Sequence, residues 1–144
     1  MNTLEQTKLY GLYTEPQTLK ATNQNVTDTF AAIGSAINTA GAKFITFFIS
    51  VTRNNSSNIR FKIVSNRTAS GTDNYNDLIE TAGASDIKIE NKYYELNVDA
   101  DNKFKLKVQL DGSTPYLTLQ TCAGTVSSPT AAVITSVYYI LSNI

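Results

Sequence analysis

Residues 44–64 read FITFFISVTRNNSSNIRFKIV. Ile45, Phe47, Ile49 and Val51 fall on one side of a two-residue period, and Phe44, Thr46, Phe48 and Ser50 fall on the other. After Asn54-Asn55-Ser56-Ser57-Asn58 the alternation resumes, with Ile59, Phe61 and Ile63 set against Arg60 and Lys62. Successive strand side chains point to opposite faces, so the stretch reads as two antiparallel strands sharing one apolar face. The Asn/Ser cluster between them has turn chemistry, because these side chains hydrogen-bond their own backbone and Asn tolerates left-handed dihedrals. Such a hairpin needs a second layer over its apolar face, and the rest of the chain must supply it.

Working outward, the same period marks the other strands. Lys103–Leu110, KFKLKVQL, sends Phe104, Leu106, Val108 and Leu110 one way and Lys103, Lys105, Lys107 and Gln109 the other. Residues 86–98, DIKIENKYYELNV, also alternate, with Asn91-Lys92 placed to turn or bulge the chain. Tyr116–Ala123 and Ala131–Leu141 are apolar strands on either side of a turn-rich loop, and Leu78-Ile79 is a candidate short strand. Gln17–Thr29 reads as extended, broken at Asn23-Gln24-Asn25. Phe30–Gly41, FAAIGSAINTAG, is ambiguous, since Phe30, Ile33 and Ile37 also fit a helical face. Gly34 costs a helix about 1 kcal/mol relative to alanine. The flanking segments are strand-like, so a strand from Ala31 to Ile37 is preferred. Pro16, Pro115 and Pro129 all fall between strands, where proline removes no ladder bond.

About eight strands at roughly 8–12-residue spacing predict an all-β antiparallel sandwich, jelly-roll-like. Residues 17–144 form its single domain. Residues 1–16 are polar apart from Leu9-Tyr10-Gly11-Leu12-Tyr13, and read as an N-terminal arm that orders against a neighbour or as a short first strand. On this reading the Lys103–Leu110 and Tyr116–Ala123 strands are the layer that covers the 44–64 hairpin.

A length of 144 residues suits one domain with a real core. Lysine plus arginine and aspartate plus glutamate both number 12, so the net charge is zero. Nothing electrostatic then favours nucleic acid or an anionic membrane, while weak mutual repulsion favours self-association. A single cysteine, Cys122, rules out an intrachain disulfide and a multi-cysteine metal site, and reads as a small buried hydrophobe. The absence of histidine removes the commonest general base and transition-metal ligand. No pair of carboxyls stands out for glycoside hydrolysis. Asp99-Ala100-Asp101-Asn102 begins like a calcium loop, but Lys103 and Phe104 stand where that loop needs an oxygen ligand and a glycine. These observations predict a protein that is not an enzyme and uses no cofactor or metal. No signal-peptide pattern opens the chain and no apolar run reaches the ~18 residues of a membrane span, so synthesis in the cytoplasm is expected. Asn-X-Ser/Thr matches at Asn25, Asn54, Asn55 and Asn66 are expected by chance in so Asn- and Thr-rich a chain.

Contact chemistry is better represented. Adjacent tyrosines in a strand must place one ring outward, and exposed tyrosines suit interfaces and sugar stacking. Phe44 and Phe48 lie opposite the core set, on a side that a monomeric sandwich keeps polar. The interface candidates are therefore Tyr10, Tyr13, Phe44, Phe48, Tyr94 and Tyr139. Lys103, Lys105 and Lys107 form a one-sided strip, either a solvated face or a surface for an acidic partner. Asp73, Asn74 and Tyr75, within the loop 72–77, are the candidates for glycan contact in an alternative reading as a carbohydrate-binding module or adhesin-type receptor-binding domain.

The stretches IGSAINTAGAKFITFFISVTRNNSSNIRFKIV, KFKLKVQLDGSTPYLTLQ and TPYLTLQTCAGTVSSPTAAVITSVYYIL together resemble small β-sandwich virion accessory proteins of tailed bacteriophages, the head-decorating or auxiliary capsid type. The resemblance covers residues 24–141 and is one of strand pattern. It implies a non-enzymatic structural protein of the virion that decorates or stabilises the particle by contacts with the major capsid protein or a neighbouring structural protein. It further implies a homo-oligomer, commonly a trimer in such proteins, and carries no catalytic residue.

Overall fold

The described residues of the computed structural model are 13–52, 54, 57–76, 87–90, 93–96, 102–110, 112–125 and 132–144. They hold twelve strand segments: β1 (Gln17–Lys20), β2 (Gln24–Asn25), β3 (Ala31–Ala32), β4 (Ile37–Asn38), β5 (Phe44–Thr52), β6 (Ser57–Asn66), β7 (Tyr75–Asn76), β8 (Ile87–Glu90), β9 (Tyr93–Leu96), β10 (Asn102–Gln109), β11 (Tyr116–Thr125) and β12 (Val133–Ser142). There is no helix among them. One five-stranded sheet has the order β1-β12-β5-β10, with β2 beside β12. A seven-stranded sheet has the order β3-β11-β6-β9-β8, with β4 beside β11 and β7 beside β6. Every pairing is antiparallel.

If β3 and β4 count as one broken strand and β2, β7 and β8 as additions, eight successive strands remain. They lie in the orders 1-8-3-6 and 2-7-4-5. That winding is a jelly roll.

The 44–64 stretch departs from the expected hairpin. β5 pairs with β10 and β12 in one sheet, while β6 pairs with β11, β9 and β7 in the other. The chain arches across the core instead of folding back within a sheet, passing Asn54 at φ 52°. Alternation reports which side of a strand is apolar, and two strands facing one core from opposite sheets carry the same pattern as two hairpin neighbours. The covering layer is corrected with it. β10 is the edge neighbour of β5 and β11 the neighbour of β6, so each half of the 44–64 stretch covers the other.

The core lies between the sheets. Ile45, Phe47, Ile49 and Val51 of β5 and Leu106 and Val108 of β10 meet Ile59, Phe61 and Ile63 of β6 and Leu117, Leu119 and Ala123 of β11, all fully buried. Phe61 and the half-buried Phe104 cross from sheet to sheet edge to face, with ring centroids 5.5 Å apart.

The expected strand from Ala31 to Ile37 is two short pieces. Ala32 pairs with Gln120 and Ile37 with Leu117, so five steps on this side oppose three on β11. Two extra residues are accommodated where Gly34 takes a φ of +67°, and Ile33 and Ile37 are both buried. Residues 86–98 divide as their Asn91-Lys92 pair allows, into β8 and β9 paired from Ile87↔Leu96 to Glu90↔Tyr93. Leu78-Ile79, the Asp99–Asp101 turn, Pro129 and residues 1–12 lie outside the described residues. Tyr13 bridges Ser142, and the Thr14 amide donates to the Leu141 carbonyl at 2.9 Å, so the chain just before β1 runs along the end of β12.

The loop after β6 is held by one buried amide. Asn66 donates from Nδ2 to Asn74 Oδ1 at 3.0 Å and accepts the Asn74 backbone amide on Oδ1 at 2.8 Å. Gly71 passes so close that a Cβ there would stand 2.8 Å from Asn66 Cβ. Asn66→Ala removes both bonds and leaves the exposed Asn74 groups to water, an expected loss of about 1–3 kcal/mol for the two bonds together. Hydrogen exchange at the Asn74 amide should accelerate with it. Unchanged protection there would show that the loop is held by other contacts.

Candidate interaction surface

The outward sides of the two sheets differ. On the seven-stranded sheet Val64, Asn66 and Cys122 alternate with core residues, yet all three are buried. Phe30 lies over this side, its ring 4.6 Å from Lys62 Nζ. Burial pushes the Cys122 thiol up, with Arg60 opposing that shift. The thiol therefore stays protonated near neutrality and is a poor nucleophile.

The five-stranded sheet keeps an aromatic surface on its outward side. Register places Lys105, Phe48 and Tyr138 in one row across β10, β5 and β12, and Lys103, Ser50 and Ser136 in the next. A third row holds Lys107, Thr46 and Ile140. Tyr138 is 40% exposed, Phe48 is half-buried, and Lys103 and Lys105 are exposed. The two serines are too short to fill the space beside the aromatic rings. A cleft of about 220 Å³ opens there, lined by Phe48, Ile49, Ser50, Lys103, Phe104, Ser136 and Tyr138.

A bulge positions this cleft. The pairing of β12 with β5 shifts between Ile134 and Ser136, and Thr135 Oγ1 donates to the Ser50 carbonyl at 3.1 Å. The bulge reverses the parity of β12, so that Val137, Tyr139 and Leu141 face the core and Tyr138 faces out.

The candidates from sequence are thereby sorted. Phe48 lies at the centre of the surface. Phe44 lies further along the same strand, its ring 4.7 Å from Lys107 Nζ, which also donates to the Ile144 carbonyl at 3.1 Å. Tyr139 packs half-buried against the core, and the outward ring of that pair is Tyr138. Tyr13 is half-buried against the end of β12. Tyr94 lies in β9, at the register of Phe61. Tyr10 lies outside the described residues.

The glycan candidates are elsewhere, on the loop behind β6. Tyr75 is 48% exposed, Asp73 stands 3.8 Å from Arg67, and the Asn74 amide is committed to Asn66. A second cleft, of about 240 Å³, is lined by Thr14, Ala40, Gly41, Ala42, Leu141, Ser142 and Asn143. Among the described residues it offers no ionisable side chain. Among the described residues no group of three or more Cys, Asp or Glu side chains is placed to hold a metal ion.

Comparison of the chain with protein-family models, with curated proteins and with solved structures finds no match.

Proposed function

We propose that this is a non-enzymatic structural protein that works by protein–protein contact through the outward side of its five-stranded sheet. The observation that carries this reading is the row of Phe48 and Tyr138 with Lys105. Two aromatic rings stand on a sheet face that an isolated sandwich keeps polar, whereas loops of the same chain cover buried positions on the other sheet. The likeness of residues 24–141 to head-decorating proteins makes the particle of a tailed bacteriophage the assembly in question. The chain would then be a homo-oligomeric, non-enzymatic coat element in contact with the capsid.

Light scattering during size-exclusion chromatography tests the self-association, with an expected mass two or three times that of the monomer. Immunogold microscopy of virions tests the location. A monomer at high concentration, together with unlabelled particles, would sink the reading.

A second reading, a glycan-binding domain, is favoured by the exposed Tyr75 beside Asp73 on a loop fixed by the Asn66–Asn74 pair. Its expected result is glycan-array binding that Tyr75→Ala abolishes.

A further inference from the structure

One edge of the five-stranded sheet is open. β10 is its last strand, and among the described residues no strand pairs with the side of it turned away from β5. The opposite sheet does not stop there. Phe61 of β6 lies against Phe104 of β10, and beyond β6 that sheet continues through β9 and β8. The five-stranded sheet therefore ends short of the layer it covers.

Backbone and side chains at this edge have a definite parity. The Leu110 amide donates to the Lys43 carbonyl at 2.8 Å, one step on from the pair Gln109↔Phe44. Bonded residues alternate along an antiparallel ladder. Phe104, Leu106 and Val108 therefore direct their amides and carbonyls to β5, while Lys103, Lys105, Lys107 and Gln109 turn theirs to the open edge. The Ser50 carbonyl agrees with that parity, since it faces β12 and accepts from Thr135 Oγ1. The same lysines lie on the outward side, in rows across β10, β5 and β12 that hold no carboxylate. Lys103 and Lys105 are exposed.

We infer that the open edge of β10 takes up an extended segment of another protein as an added antiparallel strand, with Asp or Glu opposite Lys103 and Lys105. The inference rests on the protein-contact reading and names the partner's chemistry within it. Edge amides and carbonyls supply affinity for any strand, and the lysines select an acidic one. Apolar residues between the acids would continue the inward side beside Phe104, Leu106 and Val108. A second copy does not fit the same edge with its own β10. Both open edges present lysines, so the pair would set lysine opposite lysine, which is destabilising. Lysines guard an edge against its own kind in this way, and the same charges admit an acidic strand.

The probe is a peptide of the eight-residue length of β10, alternating Glu and Val. Fluorescence anisotropy should show saturable binding that weakens at least tenfold when Lys replaces every Glu. N-methylation of the glutamates, whose amides would face β10, should abolish binding, whereas N-methylation of the valines should spare it. Hydrogen exchange at the Lys105 and Lys107 amides should slow with peptide bound. Lys103→Glu combined with Lys105→Glu, shown to be folded by circular dichroism, should transfer the preference to the basic peptide. Equal binding of acidic and basic peptides, or unchanged exchange at Lys105 and Lys107, would overturn the inference. So would an absence of binding at about 1 mM peptide, the weak end of measurable affinity. Should the peptide fail while Phe48→Ala still weakens self-association, the protein-contact reading stands with a different occupant. A monomeric wild type that is absent from virions overturns that reading itself.

Discussion

Gly34→Ala should lower the unfolding free energy by about 2–4 kcal/mol, with a larger loss for Gly34→Val. Two costs combine at this position. A φ of +67° is left-handed backbone, open to glycine and strained for a residue with a Cβ. An added Cβ would also stand 2.6 Å from the Leu19 carbonyl oxygen and 2.8 Å from Leu19 Cδ1. The leucine side chain can rotate, but the carbonyl belongs to β1, where Leu19 stands at an irregularity held on both sides by the pairing of Thr18 and Lys20 with β12. Relief would therefore require movement between the two sheets, or distortion of the bulge that lets Ile33 and Ile37 both reach the core. A lower urea midpoint with an unchanged m-value is the expected record. A loss below about 0.5 kcal/mol would mean that the chain between β3 and β4 yields easily, contrary to the burial on both sides of it.

The strands were legible in the sequence because period two is a local property. The alternation in Lys103–Leu110 lies one residue late against β10, the apolar pattern of Tyr116–Ala123 stops two residues short of β11, and that of Ala131–Leu141 starts two residues ahead of β12. Sheet membership was not legible. The partners of β5 are β10 and β12, about 50 to 100 residues away in the chain, and both sheets turn their apolar sides to the same core. The jelly-roll class was recovered while the pairing of its central strands was not.

The interaction surface was half legible for a related reason. Phe48 follows from the uninterrupted parity of β5. Carrying parity forward from Ala132 and Ile134, both buried, turns Tyr139 outward and Tyr138 inward. The bulge at Thr135 and Ser136 inverts that assignment, and no glycine or proline marks it in the sequence. The cleft is equally hidden, because Lys103, Ser50 and Ser136 meet only through the register of three strands.

Phe47→Ala and Phe48→Ala should separate folding from contact, although the residues are adjacent. Phe47 is fully buried between Leu106 and Tyr139 in register, and its truncation should cost about 3–5 kcal/mol. That is a large share of the roughly 5–15 kcal/mol that holds a domain of this kind together. The loss should appear as a lower urea midpoint at every protein concentration. Phe48 points the other way and is only half-buried, so its truncation removes little from the core. The expected cost to the monomer is below about 1.5 kcal/mol, within the range of partly exposed sites. On the proposed contact surface the same truncation removes one of two central rings, and self-association should weaken at least tenfold, the scale of a central aromatic anchor. The comparison discriminates because each substitution deletes the same atoms from one strand, differing only in the side to which they point. If Phe48→Ala destabilised the monomer as much as Phe47→Ala, the outward side of the five-stranded sheet would be a second core covered by this chain itself. If it altered neither folding nor association, Phe48 would be a lone surface aromatic and the contact would have to lie elsewhere.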